Sequence, residues 1–455
     1  MFVGRRKELQ DLNKYYAKKD IEILVLYGQI GIGKTTLLKK FLEEKDYFYY
    51  KGVSCSSLQQ REFIAGYLTD IGFSFSKIPS YEEIFSALGE GEERKIFVID
   101  EFQNLGKTDA GFFESLKHHF IEKKRRNLFL ILCSSCISWS ESLKTENRGF
   151  LSFLFEESFY KLGELAYQDF KEFFPNFTKR ESIQAYSILG GIPGLWNYFK
   201  GHLNLRENIE NTFLKEGHPL SFLGQQLVAE ELRETAIYNT ILYTLAQGKE
   251  KLNEVHHATG FSRAKISVYL KNLIQLDLVE KVVSIETKGK EFTKKGSYRI
   301  CHSYLKFYYR YLFSNQYRQK NLNSTEFYDR IVAGDLICFS GYGFKKVCRE
   351  FVERENRLGR LPGDFTFLGY WIGKEAAIDF VYEDKEEEEV LAGICNWEKE
   401  RMTLEDYQIF LDCKEKSGIL ADLVILFSAG GFDNHLRDIS KKNPRVALVS
   451  LEQMG

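Results

Sequence analysis

Residues 28 to 35 read Gly28-Gln29-Ile30-Gly31-Ile32-Gly33-Lys34-Thr35, preceded by the apolar run IEILVLY and followed by the amphipathic stretch TTLLKKFLEEK. This fits G-x-x-x-x-G-K-[ST] between a predicted strand and a predicted helix, which is the context the pattern requires. The spacing follows from the chemistry. Glycines let the backbone curl so that successive N–H groups face phosphate oxygens, and the helix that follows turns its positive end toward them. Gly28 to Gly33, Lys34, Thr35 and Thr36 are therefore the expected contacts to ATP. Lys34 reaches for the β and γ phosphates, and the Thr35 hydroxyl is offered to Mg2+, which takes few protein ligands.

Working outward, Ile96 to Ile99 is a short apolar run that ends in Asp100-Glu101. An acidic pair after a strand is common by itself, but its separation from the phosphate loop makes it a metal-binding and water-orienting pair. Asp100 is expected to hold magnesium through water beside the phosphate loop, and Glu101 to polarise the attacking water. A third apolar run, Leu128 to Leu132, ends in Cys133-Ser134-Ser135. Ser135, or else Ser134, is expected to contact the γ-phosphate or the water from that tip. Short apolar runs with helical periodicity between them predict an α/β fold, a parallel sheet with helices on both faces.

The whole chain has 455 residues, enough for two to four domains. Lysine plus arginine (63) nearly cancels aspartate plus glutamate (64), so nucleic acid can be met only by a local patch. The start Met1-Phe2-Val3-Gly4-Arg5-Arg6 lacks the apolar run of a secretory signal, and nowhere do the uncharged apolar residues run long enough for a membrane span. A cytoplasmic protein with no membrane partner is expected. The eight cysteines show no disulfide framework, and Cys133 and Cys136 have CxxC spacing without two further zinc ligands. The histidine pairs His118-His119 and His256-His257 sit on predicted helices, where neighbours diverge.

The spacing beyond the first sheet divides the chain into a core at 1–165, a helical lid at 166–228, a winged helix at 229–300, a helical connector at 301–340 and an α/β unit at 341–455. Helices over 236–247, 252–259 and 262–276, with the turn Thr259-Gly260-Phe261 before the third, give the helix-turn-helix punctuation. In the third helix Ile266, Leu270 and Leu273 are expected to face the core, leaving Arg263, Lys265 and Lys271 to solvent. The wing adds Lys288, Lys290, Lys294, Lys295 and Arg299, so DNA can be neutralised locally, although such modules also dock proteins. The aromatic run Tyr304 to Phe313 is read as helical core rather than a platform for bases.

These residues together resemble the archaeal-type ATPase family, a branch of AAA-like P-loop proteins also found in bacteria. The resemblance is carried by Phe2-Val3-Gly4-Arg5-Arg6-Lys7-Glu8-Leu9, which is similar to the family's F-x-G-R-x-x-E-L, by IFVIDEFQNL, by Leu189-Gly190-Gly191-Ile192-Pro193-Gly194 in the lid, and by SYRICHSYLKFYYRYLF. It implies a nucleotide-dependent ATPase whose C-terminal domain is similar to restriction endonucleases. Two departures matter. The family's S-P-L-Y-G-R-like segment aligns with Ser152-Phe153-Leu154-Phe155-Glu156-Glu157, so its candidate arginine finger is missing, with Arg148 upstream as a substitute. In the C-terminal domain Asp379 matches the nuclease aspartate, but Ile394 and Asn396 replace the second carboxylate and the lysine. A catalytically dead domain is expected there. The expected activity is slow ATP hydrolysis coupled to DNA or protein binding; the alternatives are a DNA-binding regulator holding ATP as a structural cofactor and, disfavoured, an active nuclease.

Overall fold

The computed structural model describes residues 2–18, 22–122, 127–144, 151–287, 296–373, 376–384, 386 and 389–454. The chain forms two compact units, Met1–Leu165 with Ile192–Leu195, and Ala166–Gly191 with Trp196–Gly455. Among the described residues no helix is long and apolar enough to cross a membrane.

In the first unit five strands, β1 (Ile23–Tyr27), β2 (Tyr47–Lys51), β3 (Lys95–Asp100), β4 (Leu128–Ser134) and β5 (Phe159–Lys161), form a sheet in the order β2-β3-β4-β1-β5. Every pair is parallel. This is the α/β sheet of a P-loop ATPase. All residues of β1 and β4 are buried, as the unbroken apolar runs require of strands covered on both faces. The edge strands β2 and β5 escaped the sequence reading. β2 alternates exposed and buried residues, and β5 is three residues long with no fully buried member. Helices Arg6–Ala17, Lys34–Leu42, Ser57–Asp70 and Tyr81–Leu88 belong to the same unit. Tyr81–Leu88 starts at a capping box between Ser80 and Glu83. Register sets Tyr27 opposite Ser134 and Lys51 opposite Asp100. The carboxyl ends of these strands therefore share one rim, where ligands of open α/β sheets bind.

The second unit contains helices Thr235–Ala246, Leu252–Thr259 and Arg263–Gln275, then the antiparallel pair β6 (Val279–Val282) and β7 (Ser297–Ile300). Gly260 closes the second helix at φ 72, and the Ser262 side chain accepts from Lys265 N at the start of the third. Ile266, Leu270 and Leu273 are buried. Tyr304, Phe307, Tyr308, Tyr309 and Tyr311 are buried as well, and the Tyr309 and Tyr311 hydroxyls donate to Asn239 and Asp335. The aromatic run is core. One helix, Leu336–Arg357, runs without interruption through residues 340 and 341, where the sequence reading put a division.

A mixed sheet follows: β8 (Phe365–Ile372), β9 (Ala377–Asp384), β10 (Val390–Asn396), β11 (Leu423–Ser428) and β12 (Val446–Ser450), in the order β12-β11-β10-β9-β8. β8–β9 and β9–β10 are antiparallel, and β10–β11 and β11–β12 parallel. The segment after β6 docks on the edge of β8. Ser284 bridges Tyr370, Ile372 N donates to Ser284 Oγ at 3.3 Å, and Trp371 Nε1 donates to Glu286.

Candidate nucleotide site

The chain leaving β1 turns back on itself through Gly31 at φ 78 and Gly33 at φ 97, conformations that glycine adopts without a Cβ penalty. The loop is held from several sides. Gly28 N donates to Ser134 O at 3.2 Å, tying it to β4. Arg5, buried and itself at φ 58, donates to Ile32 O at 2.9 Å and Gly163 O at 2.7 Å, and is paired with Glu8 at 2.8 Å. Gly194 N donates to Gly31 O at 2.8 Å. A Cβ on Gly194 would stand 2.7 Å from Gly31 Cα, so only glycine allows this approach.

Lys34, at the first turn of the helix, is buried and donates to Gly28 O at 2.8 Å and Gln29 O at 2.9 Å. Its ammonium therefore lies over the loop. Thr35 and Thr36 are exposed on the rim, Gln29 is half-buried and Ile30 is 44% exposed.

Asp100 ends β3 with 3% of its surface exposed. Its Oδ2 accepts from Thr35 Oγ1 at 3.1 Å and from Tyr49 Oη at 2.5 Å, while Oδ1 accepts from Glu101 N at 3.0 Å. Burial, then the hydrogen bond and charge of Asp100, push the Tyr49 phenol well above its ordinary range. The same carboxylate, after burial, helps push the Cys133 thiol up. That thiol is a neutral neighbour, not a nucleophile.

Glu101 stands at φ 53, a left-handed conformation rare outside glycine. Its Oε2 accepts from Ser135 Oγ at 2.5 Å and from Gln103 Nε2, and Gln103 Nε2 lies 3.2 Å from Ser135 Oγ. Phe102 N donates to Cys133 O at 3.0 Å, pinning the strained turn to β4. Of the two serines, Ser135 meets Glu101; Ser134 is buried and accepts from Cys136 N at 3.1 Å.

A buried ammonium, a hydroxyl beside a carboxylate and glycines curled before a helix are the donor set a triphosphate and Mg2+ need. Hard oxygens suit the cation, and N–H groups with a lysine suit the phosphates. The sequence pattern had missed Tyr49 and Gln103. Tyr49 sits in the run Tyr47-Phe48-Tyr49-Tyr50, where only strand register tells which ring faces Asp100.

Arg263, Lys265 and Lys271 are exposed; Arg263 Nε donates to Asn253 Oδ1 at 2.7 Å, and Lys265 lies over the Phe261 ring. Lys288, Lys290, Lys294, Lys295 and the candidate finger Arg148 lie outside the described residues. Asp379 Oδ1 accepts from Lys345 Nζ at 2.5 Å, and its Oδ2 accepts from Cys395 N at 2.8 Å. Asn396 Nδ2 donates to Ser428 Oγ at 3.2 Å, and Lys399 Nζ is paired with Asp406 at 2.5 Å. Among the described residues no three His, Cys, Asp or Glu side chains cluster to hold a metal.

Residues 2–199 match a family described as an ATPase domain predominantly from Archaea, and residues 308–408 one described as Archaea bacterial proteins of unknown function. An uncharacterised protein of Methanocaldococcus jannaschii is 28% identical over 433 residues, covering 92% of each chain. An uncharacterised ATP-binding protein of the same organism is 44% identical over 45 residues, 10% of this chain and 76% of that one. Among solved structures, the Aeropyrum pernix ORC1 protein in complex with DNA is 14% identical, covering 71% of this chain and 95% of that one, with a TM-score of 0.35. Cdc6p from Pyrobaculum aerophilum is 14% identical, covering 72% and 97%, with a TM-score of 0.33.

Proposed function

We propose that the chain is a member of the archaeal-type ATPase family that binds ATP with Mg2+ through residues 28–36, Asp100 and Glu101, hydrolyses it slowly, and couples nucleotide state to DNA or protein binding through a winged helix at 229–300. One observation carries this reading. Residues far apart in sequence converge on one rim of the sheet, with Thr35 on Asp100 at 3.1 Å and Ser135 on Glu101 at 2.5 Å.

In this reading Lys34 neutralises phosphate charge, and Thr35 and Asp100 hold the cation. Magnesium, when bound, supplies charge neutralisation between phosphate oxygens. Glu101 orients the attacking water and takes its proton, and Ser135 and Gln103 keep the Glu101 carboxylate aimed. The positive φ at Glu101 supports that role, since strained backbone gathers at functional sites. Slowness is supported by the missing arginine: Ser152–Glu157 offers none, and a finger is worth about 10³ to 10⁵ in rate. The domain divisions at 1–165, 166–228, 229–300, 301–340 and 341–455 belong to the same proposal, with the last boundary falling inside the helix Leu336–Arg357 and Ile192–Leu195 of the lid grouped with the first unit.

Substituting Lys34→Ala tests the core of this. Affinity for labelled ATP is expected to fall about tenfold or more, the scale of losing a charge-assisted contact of roughly 1.5 to 3 kcal/mol. Undiminished affinity would sink the reading.

A second reading, a DNA-binding regulator holding ATP as a structural cofactor, is favoured by the same missing arginine. Exposed Arg263, Lys265 and Lys271 support a DNA face in either case. Phosphate release that rises with DNA supports the coupled ATPase; DNA binding indifferent to nucleotide supports the regulator. A nuclease is disfavoured because Ile394 and Asn396 stand where the second carboxylate and the lysine belong, and because the Asp379 charge is matched by the Lys345 ammonium at 2.5 Å.

A further inference from the structure

The edge strand β2 brings to this site a residue that no loop pattern announces. Tyr49 is registered against Val98, two positions before Asp100. Registered residues of a parallel pair project from the same face, and alternation puts Val98 and Asp100 on that face together. Two strand residues span about 6.6 Å, a distance a tyrosine can cover by leaning along the strand, and its hydroxyl arrives 2.5 Å from Asp100 Oδ2.

The strand backbone that carries this phenol is also anchored. Tyr49 N, on the free side of the edge strand, donates to Tyr67 Oη at 3.1 Å. Asp100 thus has two hydroxyls, Tyr49 and Thr35, on one oxygen and a backbone amide on the other. Its carboxylate is nearly sealed from solvent, so no water can replace a lost donor at little cost.

We propose that Tyr49 is a positioning residue for the magnesium site, holding the Asp100 carboxylate in the orientation it shares with Thr35 before the cation arrives. The proposal rests on the nucleotide reading above and deepens it. Thr35 and Asp100 are the ligands; Tyr49 acts through Asp100. Preordering the carboxylate lowers the entropy lost when the metal binds, so removing the hydroxyl weakens metal binding and leaves metal-free nucleotide contacts alone.

The test is a Mg2+ titration of fluorescent ATP-analogue binding by the full chain, comparing wild type with Tyr49→Phe, each also measured in EDTA. The Mg2+ concentration at half-maximal effect is expected to rise about fivefold or more, a fraction of what a hydrogen bond to a charged group supplies. Affinity in EDTA is expected to stay close to wild type, while the thermal midpoint falls somewhat whether or not Mg2+ is present, because a buried carboxylate has lost a donor. In an Asp100→Asn background Tyr49→Phe should add nothing, because the carboxylate it orients is gone. An unchanged Mg2+ midpoint overturns the proposal. Equal losses of affinity with and without Mg2+ overturn it too, since they mark a role in packing only. If wild type binds the analogue no better with Mg2+ than in EDTA, the magnesium reading beneath it fails instead, and the two failures are distinct.

Discussion

Asp100 and Asp379 are both aspartates on strands and both nearly buried, yet their surroundings give them opposite fates. Asp100 accepts from two neutral hydroxyls and one amide, so its negative charge is oriented but not cancelled. Asp379 is matched by the ammonium of Lys345 at 2.5 Å and closed on its other oxygen by Cys395 N. A carboxylate held by hydroxyls keeps its attraction for a divalent cation; one paired with a lysine has spent it inside the fold. The neighbours repeat the contrast. Beside Asp100 stands Glu101, strained and aimed by Ser135 and Gln103, whereas on β10, the strand next to that of Asp379, stand Ile394 and Asn396.

The largest effect that would sharpen this difference is on turnover. Glu101→Gln is expected to lower phosphate release by about 10²-fold or more, the range for a lost general base, with ATP affinity nearly intact. Equal turnover in the variant would deny Glu101 its place. A smaller change is expected from Gly194→Ala. The new methyl would sit 2.7 Å from Gly31 Cα, so the phosphate loop must shift, and ATP affinity should fall about tenfold. Unaltered binding would show that the loop tolerates the movement.

The smallest effect lies at the other carboxylate. Lys345→Met leaves Asp379 without its cation and should destabilise the fold by about 1 to 2 kcal/mol in denaturant unfolding, discounted because the lysine is 45% exposed. The pair also has a pH signature. Burial draws the Lys345 ammonium down, but the Asp379 charge and hydrogen bond outweigh it, and the net shift is upward from 10.5. A raised lysine contributes fully below its unfolded value and loses that contribution as pH rises through the folded one. The stability gap between wild type and Lys345→Met should therefore close above about pH 10.5. A gap constant into strong alkali would break the assigned pairing.

The P-loop fold was legible because its signals are local. A glycine-rich turn, the apolar run before it and the acidic pair after β3 each occupy consecutive residues, and their burial on both faces leaves an unbroken apolar pattern. The helices around Ile266, Leu270 and Leu273 were legible for the same reason, through a single period. The edge strands β2, β5 and β8 were not: β5 is three residues long, and β2 and β8, although rich in aromatic residues, mix buried and exposed positions and carry a polar or glycine residue that breaks or ends the run. Lys345 escaped notice because it comes from the helix Leu336–Arg357, outside the strands where the nuclease pattern looks for a lysine.

By itself the sequence determined the phosphate loop, the strand ending at Asp100-Glu101 and the absence of an arginine in Ser152–Glu157, because each depends on residue types at contiguous spacing. Only the tertiary structure decided which partners those side chains meet: Tyr49 on Asp100, Ser135 rather than Ser134 on Glu101, Gly194 against Gly31, and Lys345 on Asp379. The reason is geometric. Such pairs are made across strand register and between helix and sheet, where a shift of one residue turns a side chain to the opposite face, and no spacing along the chain records that choice.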